Sequence, residues 1–252
     1  MKYQLKLLLT ALMFYTRIPV PRGIDHSEEL LNKATRYFPL IGIMVGALMA
    51  LVYWLSGFIL PSTISVILMM LTGIVVTGAF HEDGFADVCD GFGGGYSIEQ
   101  KLNIMKDSRV GTYGLLGLIF LILMKFLLLI EIDLNLIALI IAVQSLSRLS
   151  PVLIIFTSDY VRQDALSKVK PIGKKIKTWE LLLAVVFAIA PLFLLGVWGF
   201  VLILPLLISQ LLSLWFFKRH LGGYTGDCLG AAQQFAEVVL YFSYLLLCNY
   251  IL

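Results

Sequence analysis

Three aspartates recur at intervals of four and three in the segment His81-Glu82-Asp83-Gly84-Phe85-Ala86-Asp87-Val88-Cys89-Asp90-Gly91-Phe92-Gly93-Gly94-Gly95. On a helix that spacing places Asp83, Asp87 and Asp90 on one face. Unpaired carboxylates so arranged repel one another, and a hard cation, Mg²⁺ or Mn²⁺, would offset the repulsion. Mg²⁺ commonly bridges protein carboxylates to substrate phosphates. The expected chemistry is therefore transfer at a diphosphate, with the metal neutralising charge on the leaving phosphate. His81 and Glu82 open the same segment and are candidates for a general base or a further ligand. Gly84 and Gly91 permit close approach of backbone or substrate. Six of the sixteen acidic residues lie between His81 and Thr112, a concentration that an ordinary solvated loop does not need. The spacing is not that of an EF-hand loop.

Two more polar segments carry candidates. In Met105-Lys106-Asp107-Ser108-Arg109-Val110-Gly111-Thr112-Tyr113-Gly114, Lys106 and Arg109 fall on one face of a short surface helix and suit phosphate oxygens. Asp107 is either a fourth ligand, a base, or the group that orients Arg109. In Gly222-Gly223-Tyr224-Thr225-Gly226-Asp227, a glycine-rich loop opens the last apolar segment. Gly223, Thr225 and Gly226 are expected to hold an anion on backbone N–H groups. Asp227 either caps the following helix or completes the metal site from across the bundle. Gln233 and Glu237, four apart, turn one face of that helix toward the site. Arg148 lies inside an apolar segment with Gln144 on its own face, where an unpaired charge is costly; a place in the active-site cavity is expected for it. Lys125 lies in another such segment and is left without a function. The basic run from Lys168 to Lys177 reads as a topology determinant or a lipid contact.

The elements that must position these residues are set by composition. Apolar types make up 60% of the 252 residues, charged types 14%, and the mean hydropathy is +0.92, well outside the range of soluble domains. Tyr37 to Phe80 and Leu181 to Phe217 contain no Lys, Arg, Asp or Glu, and each is long enough for two crossings of about 20 residues. The expected fold is all-α, a polytopic transmembrane helical bundle of one domain with about seven spans: 38–59, 62–80, 113–130, 134–157, 181–197, 200–217 and 235–252. Residues 1–37 are expected to form an amphipathic N-terminal segment rather than a cleaved signal. Seventeen of the nineteen basic residues fall on one side of this arrangement, which the positive-inside rule makes cytoplasmic. The N-terminus and the polar segments then share the cytoplasmic face. Continuous apolar runs exclude a β-barrel. Dispersed basic residues speak against nucleic acid, and three cysteines form no disulfide framework.

The ordered set His81-Glu82-Asp83-Gly84-Phe85-Ala86-Asp87 with Asp90-Gly91, Met105 to Gly114, Ser147-Arg148, and Gly223-Tyr224-Thr225-Gly226-Asp227 with Gly230-Ala231 resembles the cobalamin synthase (adenosylcobinamide-GDP ribazoletransferase) family. The resemblance runs from Phe14-Tyr15-Thr16-Arg17-Ile18-Pro19 to the last span. It implies a multi-pass enzyme of the cytoplasmic (inner) membrane that joins adenosylcobinamide-GDP to α-ribazole, or its 5′-phosphate, releasing GMP. It implies Mg²⁺ as cofactor, and corrinoid nucleotide, ribazole and membrane lipid as partners, with a homo-oligomer or pathway complex compatible with it. Two other classes compete. A Mg²⁺-dependent lipid or alcohol phosphotransferase needs the same aspartates. A transporter needs mid-membrane polar groups in broken helices and, usually, an internal repeat.

Overall fold

The structure is a computed structural model, and it describes residues 2–24, 27–161 and 176–251. Arg162 and most of the basic run, including Lys168, Lys170, Lys174 and Lys175, lie outside the described residues. The described chain is helical, with α1 (Lys2–Tyr15), α2 (Glu28–Ala34), α3 (Phe38–Ser56), α4 (Ser62–Thr77), α5 (Phe80–Gly94), α6 (Ile98–Ile104) and α7 (Thr112–Ile130) in its first half. The second half carries α8 (Leu136–Ser147), α9 (Leu149–Thr157), α10 (Thr178–Ile189), α11 (Ile203–Leu221) and α12 (Gly226–Tyr250). A 3₁₀ turn at Thr35–Tyr37 leads into α3, and a 3₁₀ stretch at Ala190–Leu202 joins α10 to α11. The one sheet-like feature among the described residues is an isolated parallel bridge between Tyr160 and Tyr224.

The chain is a multi-pass membrane protein. Five helical runs are long and apolar enough to cross a bilayer, or six if α4 and α5 form one broken span. That count takes Thr178–Leu221, which covers the expected 181–197 and 200–217, as one run of 44 residues, about twice the length of one crossing. The run is two helices meeting at a kink at Gly196, whose φ of 66° and ψ of −157° are not helical, close to the expected division. The segment expected as 62–80 ends early. Gly78 and Ala79 both take left-handed backbone angles, with φ of 68° and 57°, and α5 leaves α4 at 87°. The left-handed region costs an alanine roughly 1–2 kcal/mol, so the bend is held by its surroundings. Arg17 supplies part of that hold: its N–H donates to the Val76 carbonyl at 2.7 Å, and its side chain fills the space beside Gly78.

Glycines set the closest helix contacts. A Cβ at Gly42 would lie 2.3 Å from the Gln144 carbonyl oxygen, and one at Gly46 would lie 2.8 Å from the Ile141 Cα. These two glycines, four apart on α3, let α3 and α8 touch backbone to backbone, the packing that apolar helices use in place of a hydrophobic driving force. The α8–α9 run is the most buried of the crossing segments. It breaks at Arg148 because Pro151, three residues on, has no N–H to give the Ser147 carbonyl. On the α1 side, buried Arg36 joins Glu180 of α10 at 3.2 Å and Gln4 of α1 at 3.0 Å. Its guanidinium also lies 4.5 Å from the centre of the Trp179 ring.

Gly42→Val places two methyl groups against rigid backbone. It is expected to destabilise the folded protein by about 3 kcal/mol, the upper end of ordinary overpacking. Thermal unfolding in detergent, with Leu48→Val on the exposed face of α3 as the comparison, reads this directly.

Candidate active site

The site is built on the crossing of α5 and α12. A Cβ at Gly84 would lie 2.9 Å from the Asp227 carbonyl oxygen, and one at Gly230 would lie 3.1 Å from that of His81. The two helices therefore meet along Gly84 and Gly230, with α5 packed against the first turn of α12. Asp83 is exposed and Asp87 half-buried on α5, and Asp227 is half-buried at the start of α12.

Asp90 departs from this group. Its two carboxylate oxygens accept the N–H of Gly111 at 2.7 Å and of Gly114 at 2.8 Å. Those N–H groups open α7, whose own N-cap residue is Gly111 and offers no side chain. Asp90 thus caps α7 from α5, and the expectation that it binds metal gives way to this role. Gly111 and Gly114 are glycines because a Cβ at either would lie within 2.4 Å of the Asp90 carboxylate. Among the described residues no three His, Cys, Asp or Glu side chains converge to hold a metal ion. Mg²⁺ is ordinarily held by one or two carboxylates together with substrate phosphates, so Asp83, Asp87 and Asp227 suit a metal that arrives with a diphosphate better than a preformed cage.

The second polar segment is arranged differently from its expected helix. The Ser97–Gln100 capping box starts α6, which ends at Ile104, so Lys106 and Arg109 lie in the loop beyond it and are exposed. Arg109 forks onto Asp107, with Nη2 at 2.6 Å from Oδ2 and Nε at 3.0 Å from Oδ1. The Arg109 N–H closes the same turn on Asp107 at 3.1 Å. These bonds hold the Asp107 carboxyl down to about 2. A carboxyl that acidic is a poor proton acceptor near neutral pH, and its bonds to Arg109 fit the orienting role.

The glycine-rich loop is also committed. Gly222 ends α11 in the left-handed conformation and donates its N–H to Lys218. Tyr224 exchanges backbone bonds with Asp159 and Val161 at 3.1 and 3.0 Å. Gly223 fits against the Asp159 carbonyl, which a Cβ would approach to 2.3 Å. Thr225 caps α12 by accepting the Cys228 N–H at 3.3 Å. The N–H groups of Gly222, Tyr224 and Cys228 are spent on the protein itself, so this part of the loop positions α12. Space remains open beside Gly226.

Inside the bundle a continuous polar chain runs from Glu82 to Arg148. Glu82 Oε1 accepts from Gln234 Nε2 at 3.1 Å, and Gln234 accepts from Lys125 Nζ. Lys125 pairs with Glu237 at 3.2 Å. Glu237 also accepts from Gln144 at 2.8 Å and Gln233 at 2.9 Å, while Gln233 donates to Ser147 at 3.0 Å. Gln144 Oε1 accepts from Arg148 Nη1 at 2.7 Å. His81 stacks on Phe38 with ring centroids 5.6 Å apart, and the Arg148 guanidinium lies 5.6 Å from the same ring.

Three atoms of this assembly are buried without a hydrogen-bond partner: His81 Nε2, Glu82 Oε2 and Arg148 Nε. All three residues line one cavity, together with Lys125, Gln144, Gln234, Glu237 and Tyr241. Unsatisfied buried polar atoms are uncommon and costly, and the cavity of about 30 Å³ beside these three has room for about one water molecule.

The sequence placed Arg148, Gln233 and Glu237 near the site, and the structure joins them in one network. Lys125 was missed as a member. Its signal was present, since an ionisable residue inside an apolar helix has a partner or a function by default.

Lys125→Met leaves Glu237 charged and buried, and is expected to cost about 3–5 kcal/mol. Lys125→Met with Glu237→Gln should regain most of the loss. A double-mutant cycle on unfolding in detergent checks the coupling. Asp90→Ala should destabilise the protein by about 2 kcal/mol through loss of charge-assisted bonds, equally with and without added Mg²⁺. A loss that appears only with the metal would return Asp90 to the metal site.

The cobalamin-5-phosphate synthase family pattern matches residues 7–245. A relative from Shewanella amazonensis, named adenosylcobinamide-GDP ribazoletransferase, is 47% identical over 98% of this chain and 97% of its own length. One of the same name from Shewanella frigidimarina is 46% identical over 94% of this chain and 93% of its own. One from Shewanella baltica strain OS185 is 45% identical over 98% and 96%. No solved structure matches.

Proposed function

The chain belongs to the cobalamin-5-phosphate synthase family, and from that premise we propose that it joins adenosylcobinamide-GDP to α-ribazole, or its 5′-phosphate, with release of GMP. The observation that supports the reading in this chain is the meeting of α5, which carries His81, Glu82, Asp83 and Asp87, with the first turn of α12 at Gly84 and Gly230, with His81, Glu82 and Arg148 lining one small polar cavity.

In the reaction, a ribose hydroxyl oxygen bonds to the phosphorus that stays with the cobinamide. The bond from that phosphorus to the GMP oxygen breaks, and GMP leaves with its electron pair. The hydroxyl proton passes to the His81–Glu82 pair, whose Nε2 and Oε2 are the free acceptors at the cavity. Gln234 fixes the other Glu82 oxygen and so aims the free one. Arg148 Nε is the donor available to a phosphoryl or hydroxyl oxygen there. Asp83, Asp87 and Asp227 would hold Mg²⁺ with the diphosphate, where the metal neutralises charge on the departing phosphate. Lys106 is exposed near this mouth, and Arg109 reaches a phosphate only by releasing Asp107.

We place the protein in the inner membrane with its N-terminus and the carboxylate mouth on the cytoplasmic side. The support is the segregation of basic residues in the sequence. Lipid contact follows from the apolar helix faces, and the small-residue faces would permit self-association.

Purified protein in liposomes, given both substrates and Mg²⁺, should yield GMP and the cobalamin product by mass spectrometry. Asp83→Ala should abolish product, and Glu82→Gln should slow turnover roughly 100-fold or more, the ordinary worth of a positioned base. Absence of product from folded wild-type protein would overturn the reading and return the lipid phosphotransferase class.

A further inference from the structure

A groove of about 310 Å³ opens between α5, α11 and α12, at the lower end of the range for small-molecule pockets. Phe85 of α5, Trp215 and Phe216 of α11 and Phe235 of α12 give it aromatic walls, and Ser213 and Ala231 are its small, buried residues. It shares no lining residue with the cavity beside His81. Trp215 and Phe235 are exposed, so the groove faces the surroundings of the bundle.

The last turn of α11, directly beyond these rings, is basic. Lys218, Arg219 and His220 stand there, at the end of the apolar run Thr178–Leu221. Two of them touch the walls of the groove. The Arg219 guanidinium lies 5.6 Å from the centre of the Trp215 ring, and the His220 ring lies 4.7 Å from that of Phe216. Lys218 Nζ donates to the Thr157 carbonyl at 3.2 Å, which leaves two of its three N–H bonds. Arg219 is exposed and pairs with no carboxylate among the described residues. An aromatic-walled apolar groove that ends on such cations, at the end of a crossing helix, is complementary to hydrocarbon joined to an anionic head. Tryptophan is enriched at that level of a bilayer. Another helix fits this face poorly, because helices in bilayers approach through small residues and the exposed rim here is Trp215 and Phe235.

We propose that the groove between α5, α11 and α12 is a binding site for an anionic phospholipid. An acyl chain lies along Phe85, Trp215 and Phe235, and the headgroup phosphate lies against Arg219 and Lys218. A guanidinium resting on a ring keeps its N–H edge available, and that edge forks onto two phosphate oxygens. Lipid binding at this place is independent of the reaction proposed above.

Trp215 reports on the groove directly. Full-length protein is reconstituted in liposomes of phosphatidylcholine and phosphatidylglycerol, with one of the two carrying brominated acyl chains. Quenching of Trp215 fluorescence is read as the difference between wild type and Trp215→Phe. Phosphatidylglycerol should occupy the groove about tenfold more strongly than phosphatidylcholine. Arg219→Gln should cut that preference about fivefold, and Arg219→Gln with Lys218→Gln should abolish it. Both side chains are exposed, so neither change threatens folding. Arg22→Gln, at an exposed basic residue of another segment, should leave the preference unchanged. Native mass spectrometry of the detergent-purified protein should likewise show phosphatidylglycerol retained by wild type and lost from the double variant. Equal quenching by the two lipids overturns the site, as does a preference that the double variant keeps. An equal fall in Arg22→Gln would reduce the effect to general surface charge and also overturn it. A Trp215 signal that neither brominated lipid quenches would mean that a second copy of the chain or another helix covers the face, and would overturn it too.

Discussion

The arrangement of this protein depends on the pairing of Lys125 with Glu237 inside an apolar bundle. Each charge alone would be expensive to bury, by several kcal/mol on insertion scales, and the attraction between them offsets that cost only when the remaining donors and acceptors are also satisfied. The surrounding amides meet that condition. Gln234 accepts from Lys125, Gln144 and Gln233 donate to Glu237, and Tyr241 adds a weaker bond at 3.3 Å. The network spans α5, α7, α8 and α12, so the helices that form the site are tied together by the groups the site needs. Arg148 enters through Gln144, and Glu82 through Gln234. Removing one member exposes the others to the low dielectric around them, which is why the network acts as a unit.

Small residues let the network close. Glu82 of α5 reaches Gln234 of α12 where those two helices pack closely. Gly42 and Gly46 bring α3 against α8, and Gly84 and Gly230 bring α5 against α12. The sharp bend at Gly78 and Ala79 turns α5 across the end of α12 instead of letting it continue α4. A straight helix through 62–94 would carry His81 and Glu82 away from Gln234. The left-handed Ala79 is thus a local cost borne by the packing of Arg17 and by the gain in the polar network.

Much of this was legible in the residues, and the rest was not for a definable reason. Hydropathy located the apolar helices, since a run without charge has few alternatives in a bilayer. The acidic segment was legible as a helix with functional carboxylates. Its spacing, however, specifies which residues share a face of their own helix and says nothing about what that face meets. Asp90 met the N-terminus of α7, 21 residues away in sequence, and became a cap. Arg109 met Asp107 two residues away and turned a predicted helix into a loop. Gly223 and Thr225 had the composition of an anion loop, yet the backbone of 159–161 took the available N–H of Tyr224. Lys125 looked isolated because its partners lie more than 100 positions further along. In each case the residue type was informative and the identity of the partner was fixed only by tertiary packing.

The polar groups therefore divide into two sets with different electrostatic character. At the α5–α12 crossing, Asp83 is exposed and Asp87 and Asp227 are half-buried, with no preassembled metal cluster among the described residues. Deeper in, charges cancel and the unsatisfied groups are few, buried and directional. The first set suits a mobile, hydrated, multiply charged ligand that brings its own cation. The second suits a neutral hydroxyl that must lose a proton. A phosphoryl transfer between two large molecules needs both environments within reach of one phosphorus atom. Stability alone would favour satisfying or removing the orphaned atoms of His81, Glu82 and Arg148. Their persistence beside a cavity of about 30 Å³ is accounted for if a bound water or a substrate hydroxyl, rather than protein, completes their hydrogen bonds.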